Sequence, residues 1–400
     1  MSSSQSRSRR RAQSSTTGDD SSRTTKTPRS SAYNAGFEQH LIDHGIYPRN
    51  RGPRPSNWEE VNNQLGQARS SLSPSHFSEG EFERFQQKND EALSEPKVRS
   101  SVLPTIAGNP GIPSEEDITF YNIAPLTDGT ITKPKPDFYD GSRPEQLDRR
   151  VREELGPYIV PSTIGNAPML SNFFAEAKGP QGRADIARRQ ACYDGAIGER
   201  AMLHARSYVS GADAVYDGNA YTITSTYQSG TGTLAMYTVH PTQPANPGGK
   251  PDYHMTQINT WGMTGNAETF RQGARAFRNA RDWAREQRDT AIARMNEKAN
   301  YRQTEASSVE SAGLDLPPSF AGEALSRVSE TSVDEELYTS DAVVHESETS
   351  TDDLDLYLNL PAKRPSKHSE QSYRSHRKRH NPSESSSTRH GRILAAMSES

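Results

Sequence analysis

The chain has 400 residues, and its 47 Lys+Arg against 51 Asp+Glu leave a net charge of −4, so as a whole it is neither a polybasic nucleic-acid binder nor an acidic tail protein. Only 31% of the residues are hydrophobic and mean hydropathy is −0.92, below the roughly 45–50% apolar content of a wholly globular chain. A single Cys192 excludes a disulfide framework and a thiolate-rich zinc site, and it points to a reducing intracellular compartment.

The opening run MSSSQSRSRRRAQSSTTGDD has no apolar core for secretion and no apolar stripe for a mitochondrial presequence. No stretch reaches the roughly 18–20 apolar residues that span a bilayer, so a soluble protein without membrane contact is expected. Residues 1–35 are Ser, Thr and Arg and are read as a disordered head. From 303 the chain is read as a disordered tail, acidic over about 310–355 and basic over 363–392. The three tryptophans, Trp58, Trp261 and Trp283, lie between these flanks, so residues 36–302 should hold the folded domain.

Ser56-Asn57 opens a short predicted helix from Trp58 to Arg69, and Ser75 caps a second one carrying Phe77, Phe82, Phe85 and Leu93. The run 117–124 (DITFYNIA) alternates like a strand. KPKPDFYDG holds a further short strand that ends in an Asp140-Gly141 turn. Pro144 starts an amphipathic helix through Leu147, Val151 and Leu155, with Gly156-Pro157 as its stop. The strand SNFFAEAK follows, then a Gly179/Gly182 loop and a helix over 183–206 whose Ala184, Ala187, Ala191, Gly195, Gly198 and Met202 form a small-residue stripe. That stripe implies close approach to a sheet if the helix is unbroken, or a helix end at Gly195 if it is not. NAYTITSTY, TLAMYTVH and DYHMTQINTW read as strands, and a long helix runs from Asn266 to Lys298. Helices, strands, helix, strands, helix is an α/β or α+β order.

Chemistry concentrates at Pro136-Asp137 and at Glu176-Ala177-Lys178. Strand alternation puts Phe174, Glu176 and Lys178 on one face and Phe173, Ala175 and Ala177 on the other. With Asp137 alongside, two carboxylates and the Ala177 carbonyl supply hard oxygen ligands for Mg²⁺, and Lys178 can hold or help deprotonate the attacking water.

This pairing resembles the PD-(D/E)XK nuclease superfamily. The next helix carries Gln190-Ala191-Cys192-Tyr193, similar to the Gln…Tyr helix of RecB-like members, where the Gln helps position the metal water or the DNA. FEQHLIDHGIYP, KPDFYDG, FFAEAKGPQG, RQACYDGAIGERAM, YDGNAYTITS and RNARDWA together resemble a fungal family of unknown function with this nuclease-like fold. The resemblance implies an α/β, restriction-endonuclease-like mixed-sheet core flanked by helices, preceded by a helical extension. It also implies Mg²⁺-dependent phosphodiester hydrolysis, with Asp137 and Glu176 as metal ligands and Lys178 and Gln190 as catalytic residues. The 39-residue gap from Asp137 to Glu176 is long for the superfamily, and Asp140, three residues on and facing the other side of a strand, is the rival for the metal position. Glu79, Glu81, Glu83 and Glu91 all remain open as the acid of the first core helix. A silent nuclease-like module that binds nucleic acid or protein is the alternative, and DNA and RNA are left undecided.

Arg271, Arg275, Arg278, Arg285 and Arg288 form a stripe that is read as a solvated face paired with Asp282, Glu286 and Asp289, or as a phosphate track. His40 and His44 sit at i, i+4 like half of a zinc helix. With no cysteine partner and no third ligand within sequence reach, they are read as part of a short packed or docking helix. Lys363-Arg364 and Arg374 to His380 form a split basic cluster that suits an import receptor, and so a nuclear rather than cytoplasmic address, or nonspecific nucleic-acid contact, or is a solvated tail. Thr27 and Ser73, each followed by Pro, offer phosphorylation sites.

Overall fold

Strand-type sequence from residue 169 to 262 builds the centre of the molecule. The computed structural model describes residues 29–312 except 49–51, 212–214, 245 and 247, with side chains described to residue 305. The head before residue 29, with Thr27, the acidic and basic tail blocks and the import cluster lie outside these residues.

In chain order the elements are α1 (Phe37–Asp43), β1 (Ile46–Tyr47), α2 (Trp58–Gly66), α3 (Glu79–Glu91), α4 (Glu95–Lys97), α5 (Leu103–Ala107), β2 (Ser114–Glu115), β3 (Phe138–Ser142), α6 (Arg149–Ile159), β4 (Met169–Lys178), α7 (Ala184–Ser210), β5 (Thr222–Gln228), β6 (Thr233–Thr242), β7 (Asp252–Gly262) and α8 (Ala267–Ala312). Seven strands form one mixed sheet in the order β1-β7-β6-β5-β4-β3-β2. β5, β6 and β7 pair antiparallel as a meander, and β3 pairs antiparallel with β4. β4 and β5 are parallel, a pairing that needs a crossover, which α7 supplies.

Both faces of the sheet are covered, which is why β4 is buried at all ten positions. On one face Phe173, Ala175 and Ala177 pack with Phe82 and Phe85 of α3 and with Phe270, Phe277 and Trp283 of α8. On the other, Phe174 and Val239 pack with Ile186, Cys192 and Ala196 of α7 and Phe37 of α1. α7 runs unbroken through Gly195 and Gly198 because it lies against the sheet. A Cβ at Gly195 would stand 2.6 Å from Val239 Cγ2, and one at Gly198 2.5 Å from Phe174 Cε2.

Several expected boundaries move, each for a local reason. Ser78, not Ser75, caps α3, through a reciprocal box in which the Ser78 N–H donates to Glu81 Oε2 at 2.7 Å. Leu93 is exposed. Residues 117–124 form no strand. Their N–H groups donate to the carbonyls of Pro134, Pro136, Pro157 and Pro161, and prolines have no N–H with which to complete a ladder. Asp140-Gly141 is not a turn but lies inside β3, at a register shift where Gly141 passes close to the Met169 carbonyl. Pro144–Gln146 is a separate 3₁₀ turn, and α6 starts after an Asp148 cap that accepts from the Arg150 N–H at 2.8 Å. It continues past Gly156-Pro157 to Ile159, since Pro157 forfeits only its own bond to the preceding turn. Order also starts earlier than residue 36. Ser30 exchanges main-chain hydrogen bonds with Thr130 and Thr132, and Ala32 is buried. α8 extends past 302 to Ala312. No helix among the described residues is long and apolar enough to cross a membrane.

Candidate active site

β4 delivers two charges to the α7 side of the sheet. Glu176 and Lys178 follow Phe174 on that face and are 1% and 2% exposed. Asp137 stands one residue before β3, where the Phe138–Ala175 register sets it opposite Glu176. The main chain locks the pair. The Asp137 N–H donates to Glu176 Oε1 at 3.1 Å, and the Ala177 N–H donates to Asp137 Oδ2 at 2.8 Å.

Lys178 reaches into this pair from the strand end. Its Nζ lies 3.0 Å from Glu95 Oε2, 3.9 Å from Asp137 Oδ2 and 4.0 Å from Glu176 Oε2. Glu95 comes from α4, and four residues on, Arg99 pairs with Asp117 and lies 3.7 Å from Asp137 Oδ1. Lys135 is 3.6 Å from the same Asp117. On the helix side, Asp194 of α7 stands beside Glu176, close enough for the two carboxyls to act on each other. Glu95 is half-buried and Asp117 exposed, so this side faces solvent.

Burial dominates the electrostatics. It pushes the Glu176 carboxyl well above the carboxylate range, with Asp137 and Asp194 adding to the effect, and it pushes Asp194 up to about 7. Two adjacent acids that both resist ionising titrate as a pair and favour sharing a proton between them. Burial also drives Lys178 toward neutrality, but Asp137, Glu176 and Glu95 outweigh it and hold the ammonium above its ordinary value. Glu95 is raised too, by burial and then by Asp137. Five acids (Glu95, Asp117, Asp137, Glu176, Asp194) face three cations (Arg99, Lys135, Lys178), so full ionisation leaves two negative charges unbalanced.

Sequence reasoning brought Asp137, Glu176 and Lys178 together, and they meet. Gln190 stands one turn before Asp194 on α7, half-buried, with no hydrogen-bond partner at Oε1. Asp140 does not join them. It is fully buried and accepts from Arg281 at 2.8 Å on both oxygens. Nor do the α3 acids. Glu79 pairs with Arg271, Glu81 caps its helix, Glu91 accepts from Gln87, and Glu83 is exposed. Glu95, which sequence reasoning missed, is the acid that the helical side sets against Lys178. It sits in a three-residue helical turn beside Pro96, and no periodic pattern announces it.

The Arg stripe of α8 serves the fold. Arg278 donates to the Ile106 and Thr105 carbonyls, Arg281 holds Asp140, and Arg288 is bound to Ser142 and Asn172. Only Arg285 keeps the expected solvated pairing, with Asp282. This overturns both the solvated-face and the phosphate-track readings for Arg278 and Arg288. Two surface hollows, lined by Arg69, Asn279 and Trp283 and by Lys88, Lys97 and Thr105, include none of the carboxylate-cluster side chains.

Compared with known protein families, with curated proteins and with solved structures, the chain finds no match.

Proposed function

We propose that the chain is a divalent-metal-dependent phosphodiester hydrolase of the PD-(D/E)XK type, built on a restriction-endonuclease-like version of its mixed sheet. The carrying observation is the cross-locked Asp137–Glu176 pair with Lys178 beside it. The residues suit a hard cation. Glu176 Oε2 is buried without a hydrogen-bond partner, the donors are oxygens, and the cluster carries two unbalanced negative charges when ionised. Asp137 and Glu176 would hold Mg²⁺. When bound, such an ion supplies Lewis acidity toward a phosphate ester and its attacking water.

The chain's own groups do the rest. Lys178, held cationic, offsets the charge that grows on the phosphoryl oxygens and is unsuited to removing a proton. For Glu176 to serve as a carboxylate ligand, the proton favoured between it and Asp194 would have to leave, and Asp194 would carry the other charge of the pair. Gln190 orients water or the nucleic-acid backbone from the neighbouring turn. Substrate approaches from the Glu95–Asp117 side, and Glu95 must release Lys178 for it. A nuclear address belongs to the same reading. A fluorescent fusion lacking 363–392 should lose nuclear accumulation, and continued accumulation would refute the address.

A catalytically silent module that binds nucleic acid or protein is favoured by one observation, the near-complete burial of Glu176 and Lys178 behind Glu95. Purified full chain separates the two. Hydrolysis of DNA or RNA in Mg²⁺ or Mn²⁺ that disappears in both Glu176→Ala and Lys178→Ala supports the enzyme. Metal binding without cleavage supports the silent form, and cleavage that survives both substitutions sinks the assignment.

A further inference from the structure

We infer that His40, His44 and Asp128 form a binding site for a Zn²⁺-like transition metal, separate from the carboxylate cluster and independent of the hydrolase reading. His40 and His44 lie one turn apart at the end of α1, with ring centroids 4.3 Å apart. Asp128 comes from the loop before β3 and faces both rings. His40 Nε2 is 3.4 Å from Asp128 Oδ1, and His44 Nε2 is 3.9 Å from Asp128 Oδ2. All three ligand atoms lie within 4.8 Å of one another. Tetrahedral zinc with bonds of about 2.0–2.1 Å sets its donors about 3.3 Å apart, so closure around an ion asks for shifts of about an ångström or less.

Three details favour a ligand set over a plain His–Asp contact. His40 Nε2 is buried and makes no hydrogen bond, although the carboxylate is near. The His44 Nδ1–H donates to the His40 carbonyl at 2.8 Å, which leaves the Nε2 lone pair turned toward Asp128. Asp128 is itself oriented, since its Oδ1 accepts from the Thr130 N–H at 3.0 Å and from the Thr130 hydroxyl at 2.7 Å. Two imidazoles and one carboxylate suit Zn²⁺ and Co²⁺ and disfavour Mg²⁺.

The ion would act as a clasp. The Asp128 loop is already tied to the amino-terminal segment, the Ser30 N–H donating to the Thr130 carbonyl. That segment leans on α7 next to Gln190 and Asp194. Arg189 donates to the Ala32 carbonyl at 3.0 Å, and the Phe37 ring meets Tyr193 edge-on. Metal at His40, His44 and Asp128 would tie the far end of this segment to the loop that already holds Ser30, closing the segment over α7.

Chelator-treated full chain titrated with Co²⁺ should develop the visible absorption of a tetrahedral centre, and Zn²⁺ should displace it. His44→Gln and Asp128→Asn should each remove one bound Co²⁺ per chain or weaken it at least tenfold. Glu176→Ala should leave it unchanged, and excess Mg²⁺ should not compete. The histidines of the tail are present in every variant, so their background cancels. Asp128 is exposed, so Asp128→Asn should keep the wild-type circular dichroism and decides the matter even if His44→Gln does not fold. Unchanged Co²⁺ spectra and stoichiometry in Asp128→Asn would overturn the site.

Discussion

The Asp137 N–H donates to Glu176 Oε1 across the β3–β4 pair, so the two carboxylates are positioned by the main chain rather than by free rotamers. Positioning of this kind limits the conformational entropy lost on ligand binding. It also separates Asp137 from Asp140, which lies in the same strand region but serves a different purpose.

Asp140 is a structural anion. Asp140→Asn should lower the unfolding free energy by about 3 kcal/mol, because Arg281 is left as a buried, half-paired charge. Urea denaturation measures that loss. The folded variant should still bind divalent metal at the Asp137–Glu176 pair. Loss of metal binding in folded Asp140→Asn, with retention in Asp137→Asn, would transfer the ligand role to Asp140.

A second buried acid sets a pH dependence away from the candidate site. Glu199 is fully buried and accepts from the Tyr221 N–H at 3.0 Å, and burial pushes its carboxyl from 4.5 up to about 8. The folded state therefore binds more protons than the unfolded state between those values. The associated stability is complete below about pH 4.5 and is lost as pH rises through 8, at about 1.4 kcal/mol per unit. Glu199→Gln keeps the shape without the titration. It should be more stable than wild type at pH 9 and gain nothing at pH 5. Parallel stability–pH curves for the two proteins would contradict this.

Phe173 to Lys178 was legible because side chains alternate along a strand, and only one face of this run carries charge. The strands from Thr222 to Gly262 were legible from β-branched and aromatic runs between glycine turns. Residues 117–124 misled because alternation says nothing about the partner, and here the partners are prolines. Arg278 and Arg288 looked solvent-facing because their acceptors, at Ile106 and Ser142, lie far away in sequence. Glu95 and Asp128 were invisible for the same reason. Each sits in a short irregular segment, and its value comes only from what the fold sets beside it.

Helix α7 should be intolerant of added bulk where it crosses β4. In Gly198→Ala the new methyl meets Phe174 Cε2 at 2.5 Å and the Ser171 carbonyl at 2.9 Å. The gain in helix propensity, about 1 kcal/mol, should lose to overpacking of about 1–3 kcal/mol. Thermal unfolding should show a net lower midpoint. Because Asp194 lies one turn away on the same helix, metal binding at Glu176 should also weaken. A raised midpoint would mean that the sheet can shift to admit the methyl.

Once the Glu176–Asp194 pair is fully ionised, the acids around Asp137 carry two unbalanced charges that one divalent ion would offset. Calorimetric titration of Mn²⁺ into the full chain tests this most directly, at pH 7 with Zn²⁺ removed. One Mn²⁺ should bind per chain, with release of a proton from the Glu176–Asp194 pair. Affinity should fall about tenfold or more in Glu176→Ala and stay unchanged in His44→Gln. Binding that is equally strong in wild type and Glu176→Ala, or no binding at all, would contradict it.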